Sequence, residues 1–111
     1  MSRHLDLCAA ADVPTGTLRM VEVEGELVLV SNVGGVLRAT QGVCSHEYFE
    51  LDRGFLTGSS VTCALHLSRF DLDSGEPLDP PAELPLAVYP VTVENGRVFI
   101  DVPEGPLEIN R

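Results

Sequence analysis

Cations are scarce in this chain. Seven Lys+Arg stand against 17 Asp+Glu, a formal net charge of −10 at pH 7, and such a surface repels nucleic-acid phosphates and anionic membranes alike. Nucleic acid and membrane are thereby excluded as partners, and any charged partner should offer a basic face. Long hydrophobic runs are also missing, for no stretch approaches the roughly 18 apolar residues of a membrane span. Asp6 breaks the opening MSRHLDLCAAADV, so it reads neither as a signal h-region nor as a twin-arginine leader. The expectation is a cytoplasmic protein, whose thiols stay reduced. Cysteines number three, an odd count, and clustered thiols in that compartment more often hold metal than form disulfides. No persuasive 3.6-residue period, internal repeat or low-complexity tail is present. At 111 residues the chain closes one core and has no room for two.

What is present reads as all-β. In LRMVEVEGELVLVSNVGGVLRAT, residues 18 to 40, apolar and polar residues alternate, with Val21 and Val23 on one face and Leu27 and Leu29 sharing the same period further on. Turn residues at Glu24-Gly25 and from Asn32 to Gly35 cut the run into three strands. YPVTVENGRVFIDV, residues 89 to 102, predicts a hairpin with Asn95-Gly96 as a type I′ turn. A short helical turn would fit around 9 to 13 or 47 to 51. Between the two β-rich ends, residues 41 to 80 hold Gly42, Gly54, Gly58 and Gly75 and end at Pro80-Pro81, the mark of a loop-rich insertion. Loops on a rigid sheet scaffold are where binding chemistry usually sits.

Two matched pairs fall inside that insertion. CSHEYF places Cys44 beside His46, and CALH places Cys63 beside His66. Each loop thus offers one thiolate and one imidazole. A structural zinc site would use four such ligands, although common zinc knuckles pair like with like. A Cys44–Cys63 disulfide leaves both histidines as coincidence, and a Cys/His nucleophile explains one pair only. A [2Fe-2S] cluster with both thiolates on one iron and both imidazoles on the other requires one of each from each loop.

C-S-H, sixteen residues, then C-A-L-H resembles the Rieske signature C-x-H-x15-17-C-x-x-H. The likeness extends to Gly54-x-x-x-Gly58, to FDLDSGEP and to PPAELPLAVYPV, so the chain is similar over nearly its whole length to the small Rieske-type ferredoxins of aromatic ring-hydroxylating dioxygenase systems. The resemblance implies a Rieske fold: an antiparallel β-sandwich basal domain, about 1–40 and 81–111, with a cluster-binding subdomain, about 41–80, inserted into it. It implies one [2Fe-2S] cluster held by Cys44, His46, Cys63 and His66, and a one-electron carrier rather than an enzyme. Its partners would be a flavin-containing, NAD(P)H-dependent reductase and a terminal oxygenase. A small Rieske-like subunit of an assimilatory nitrite reductase and a zinc-stabilised interaction module are the alternatives. Only His4 is left over for a facial-triad iron, and the chain is too short for a catalytic domain.

Two Fe(III), two sulfides, two thiolates and two neutral imidazoles sum to zero charge, so reduction is easier than at a four-thiolate centre starting at minus two. High-potential Rieske proteins add a cysteine in each loop and hydroxyl donors from Ser and Tyr. Here the extra cysteine positions are Phe49 and Leu65, the serine is kept as Ser68, and the tyrosine is Phe70. Pro80 and Pro81 lie where such proteins have a proline-bearing loop over the cluster. Tyr48, Leu65 and Leu67 are expected to ring the histidine tip for transient docking, with Glu47 and Glu50 steering a basic partner. Phe49 should pack inward, Cys8 should be a buried small hydrophobe, and His4 should be a surface residue near a mobile terminus. Each missing donor removes on the order of 1 kcal/mol from the reduced state, tens of millivolts. The potential should therefore lie near the low end of the Rieske range, about −150 mV. Phe70→Tyr should raise it, and a midpoint titration returning an unchanged or lower value would contradict the account.

Overall fold

The computed structural model describes residues 2–45, 48–65, 67–80 and 84–110. Among these residues ten strands run in the order β1 (Ser2–Ala9), β2 (Leu18–Val23), β3 (Glu26–Val33), β4 (Val36–Gln41), β5 (Phe55–Thr57), β6 (Ser60–Thr62), β7 (Arg69–Asp71), β8 (Val88–Tyr89), β9 (Val91–Glu94) and β10 (Arg97–Pro103). They form three antiparallel sheets, β1-β10-β9, β2-β3-β4-β8 and β5-β6-β7. The all-β expectation holds, and single 3-10 turns at Ala10–Asp12 and Leu51–Arg53 are the helical pieces among the described residues.

Three hairpins share one device. Val23 pairs with Glu26, Val33 with Val36 and Glu94 with Arg97, leaving two-residue loops. Both loop residues have positive φ in each: Glu24 and Gly25 (54° and 83°), Gly34 and Gly35 (62° and 90°), Asn95 and Gly96 (51° and 75°). That is the type I′ geometry whose twist matches the strands it joins. The expected turn from Asn32 is narrower than it looked, because Asn32 stays in β3 and its Oδ1 accepts the Gly35 N–H at 2.9 Å.

The sandwich core lies between the first two sheets. Leu7 and Cys8 of β1 and Val98, Ile100 and Val102 of β10 face Val28 and Val30 of β3, Ala39 of β4 and Tyr89 of β8. Cys8 is buried there as expected, and burial pushes its thiol up from the ordinary range. Leu29, the residue between Val28 and Val30, points the other way into a second apolar cluster with Cys44, Leu51, Val61, Cys63, Phe70, Leu72 and Leu86. Successive strand residues point to opposite faces, so β3 is buried on both sides and its LVLV run is continuous for that reason.

All seven cations are arginines; the sequence has no lysine. Among the described residues four pair with carboxylates on the surface: Arg3 with Glu24, Arg38 with Asp73, Arg69 with Asp79 and Arg97 with Asp6. His4, expected near a mobile terminus, is instead held in β1 opposite Asp101 of β10. Its Nδ1 lies 2.6 Å from Asp101 Oδ1 and its ring stacks on Phe99 with centroids 4.2 Å apart. The Asp101 hydrogen bond raises the imidazole pKa above 6.5.

A Cβ on Gly54 would stand 1.8 Å from the Thr62 carbonyl oxygen, whereas one on Gly58 would meet open space. Gly54→Ala should therefore cost about 3 kcal/mol of unfolding free energy, and Gly58→Ala, at φ 56°, only about 1 kcal/mol of left-handed strain. Urea denaturation of the two variants side by side checks the order, and equal costs would show that backbone crowding at Gly54 is not what selects glycine.

Candidate functional site

Two loops leave the sheets toward the second cluster. The first follows β4 and carries Cys44; the second joins β6 to β7 and carries Cys63. Each is closed by the same bond, the cysteine N–H donating to the carbonyl five residues on: Cys44 to Phe49 at 2.9 Å and Cys63 to Ser68 at 2.9 Å. The Leu67 N–H then returns to the Cys63 carbonyl at 2.8 Å. Both cysteines are buried in one apolar cluster and no disulfide joins them, so one pair of thiols is delivered to one place by two similar loops. His46, Glu47, His66 and Pro81 lie outside the described residues.

Described residues around the loop tips are open. Tyr48 is 70% exposed, Leu67 63% and Leu65 38%, whereas Phe49 packs against the second cluster. Tyr48 stands between two clefts, one lined with Phe49, Glu50 and Arg53 and the other with Glu26, Leu27 and Val43. Leu84, which nothing in the sequence singles out, is also exposed. Phe70 is fully buried in β7 within the same cluster as both cysteines.

The proline-bearing segment after β7 is fastened through its carbonyls. Prolines have no N–H to give a ladder, and this stretch has five, Pro77, Pro80, Pro81, Pro85 and Pro90. Ser68 Oγ donates to the Pro80 carbonyl at 3.1 Å, Ser45 Oγ to Leu84 at 2.5 Å, Asn110 Nδ2 to Pro85 at 2.9 Å, and the Asp101 N–H to Pro90 at 3.1 Å. The first two hydroxyls come from the two cysteine loops. Ser68, read from sequence as a donor toward the centre, thus spends its hydroxyl on Pro80 here. Ser45 and Asn110 were not anticipated, because a serine between Cys and His carries no signal of its own and a partner 39 residues away is invisible locally. Arg69 completes the second loop: its Nε binds Asp79 at 2.7 Å, and that guanidinium holds the Asp79 carboxyl below its usual range.

The donor chemistry suits an iron-sulfur centre. Such clusters are held by cysteine thiolates, and Cys44 and Cys63 lie in one apolar cluster of side chains in the unbridged form that ligation requires. A zinc knuckle would instead place like ligands within one loop. Leu67 adds a local constraint, since its φ of 59° is the left-handed conformation that costs a branched residue about 1–2 kcal/mol. Leu67→Gly should relieve it. With 63% of the side chain already exposed, the net effect after glycine's extra unfolded-state freedom should be a gain of about 0.5 kcal/mol, and a lower denaturation midpoint would show that the leucine packs usefully.

Comparison with known proteins gives the site its setting. The Rieske [2Fe-2S] domain matches residues 3–90. The ferredoxin component of a naphthalene 1,2-dioxygenase system from Pseudomonas aeruginosa is 36% identical over 100 residues, 90% of this chain and 96% of that protein. The 3-phenylpropionate/cinnamic acid dioxygenase ferredoxin subunit of Escherichia coli (strain K12) is 41% identical over 98 residues, 87% of this chain and 92% of the other. Among solved structures, the complex of reduced oxygenase and oxidized ferredoxin in carbazole 1,9a-dioxygenase superposes with a TM-score of 0.84 at 35% identity, covering 95% of this chain and 97% of that one. A Mycobacterium tuberculosis structure assigned to an NADH-dependent nitrite reductase small subunit shares the fold, TM-score 0.82, at only 22% identity. Matched through most of its length and identical to curated relatives at over a third of the aligned positions, this chain belongs to the Rieske [2Fe-2S] domain family.

Proposed function

We propose that this chain is a one-electron carrier that takes electrons from a flavin-containing, NAD(P)H-dependent reductase and delivers them to the terminal oxygenase of an aromatic ring-hydroxylating dioxygenase system. The observation that carries the reading is the pair of unbridged thiols, Cys44 and Cys63, brought by two similarly closed loops into one buried cluster whose outer neighbours are exposed. Relatives bearing the name of ferredoxin components support a carrier rather than a catalyst. A bound [2Fe-2S] cluster supplies reversible uptake of one electron.

The chain's own residues do the rest. Residues 41 to 80 act as the unit that holds the centre. Cys44 and Cys63 would hold it from within the apolar cluster, and His46 and His66 would complete the ligand set. Pro80 and Pro81 belong to the segment beside it, of which the Pro80 carbonyl is tied to Ser68. Tyr48, Leu65 and Leu67 offer an apolar rim of modest area, suited to a partner that must bind and leave. Net negative charge, with Glu47 and Glu50 close in sequence to the first ligand pair, steers a basic docking face toward that rim. No helix among the described residues is long and apolar enough to cross a membrane, and the cytoplasm is the proposed compartment. The nitrite reductase alternative is weaker, resting on likeness of fold.

Electron paramagnetic resonance of the dithionite-reduced protein tests the centre. The expected signal has an average g distinctly lower than that of an all-thiolate cluster. A colourless protein holding one zinc would end the redox reading. With reductase and oxygenase present, turnover should fall as ionic strength rises from low to moderate, because exposed charges are screened within about 10 Å at 0.1 M salt; a flat response would reject steering by charge.

A further inference from the structure

We infer that Gln41 is a positioning residue for the first ligand loop, and that it works by tying this loop to the C-terminal segment. The inference rests on Cys44 being a ligand of the proposed centre. Gln41 closes β4, three residues before Cys44, and is fully buried. A side-chain amide has two N–H donors and two acceptor lone pairs, and here all four are matched. Nε2 donates to the Val43 carbonyl at 2.9 Å and to the Asn110 carbonyl at 2.7 Å. Oε1 accepts the Ala87 N–H at 2.7 Å and the Asn110 N–H at 2.9 Å. Two carbonyls on one side and two N–H groups on the other allow a single orientation of the amide, since a flipped one would lose every bond.

The bonds close a ring around Cys44. The peptide linking Val43 to Cys44 is held at both ends, its carbonyl by Gln41 and its N–H by the Phe49 carbonyl. On the other side of Cys44, Ser45 is bound to the Leu84 carbonyl, and the neighbouring Pro85 carbonyl is bound by Asn110 Nδ2. Asn110 returns to Gln41 through its own backbone. The residues before and after Cys44 are thereby fixed to the same frame, and the C-terminal segment is one side of it. Outer partners of this kind orient metal ligands, and their removal typically weakens metal retention about 10–100-fold.

A structural role alone would lower thermal stability and leave the centre's own properties untouched, so the readouts must belong to the centre. Three forms of the holoprotein are needed: Gln41→Glu, which keeps both acceptors and loses both donors; Gln41→Met, similar in length without the amide; and a chain ending at Glu108, which leaves Gln41 intact and removes Asn110. Bleaching of the visible chromophore by excess EDTA should be about tenfold faster than in the unaltered protein, with a shifted midpoint potential and an unchanged far-ultraviolet circular dichroism spectrum. Unchanged bleaching and potential in the shortened chain would overturn the inference even if both Gln41 variants fail to fold. Iron and sulfide analysis of the unaltered protein separates the two levels of failure. Absent iron sinks the cluster reading itself, whereas a normal iron content with unaltered bleaching in the variants sinks the positioning role alone.

Discussion

The structure depends on a strand that is buried on both faces. Val28 and Val30 face the sandwich core and Leu29 between them faces the cysteine cluster, all three without measurable exposure. Each such side chain contributes about 1.5–3 kcal/mol by leaving water, and the two contributions are made by adjacent residues on one rigid ladder. The second cluster therefore has no independent foundation: its floor is the back of the sandwich sheet. Loops that stand on this wall inherit its rigidity, as a carrier requires if its centre is to change charge with little movement of the ligands.

On that wall the loops are fixed mostly by polar groups rather than by further burial. The strands of the third sheet have three residues each, too few to supply a large apolar face. Hydroxyl and amide side chains from Ser45, Ser68, Gln41 and Asn110 fasten carbonyls of the proline-bearing segment and of the first ligand loop instead. Buried polar groups of this sort are costly when unmatched and orienting when matched, so they specify one arrangement of the loops where hydrophobic packing alone would tolerate several.

The hairpins were legible because each carries local information: alternation on both arms and residues tolerant of positive φ in the turn, as at Asn95-Gly96. The pairing of Cys44 with Cys63 was legible through ligand chemistry and spacing. Less could be read where the cause is distant. Ser2 pairs with Pro103, and nothing in either segment names the other. β5, β6 and β7 are too short to show a period. Gln41 ends a strand with a polar residue, which locally reads as solvent-facing, and its burial follows only from the return of residue 110. The left-handed Leu67 carries no mark at all, since leucine is not a residue that advertises that conformation.

Reliance on arginine has a consequence for the protein's electrostatic field. Guanidinium stays protonated at any pH a cell reaches, and the carboxylates are ionised above about pH 5. Across neutrality the side-chain charge is therefore constant except at imidazoles and thiols. Among the described residues the imidazole in question is His4, and the Asp101 hydrogen bond holds its proton more firmly than a free imidazole would. Part of any acid–base response near neutrality therefore belongs to the β1–β10 edge, where His4 sits opposite Asp101.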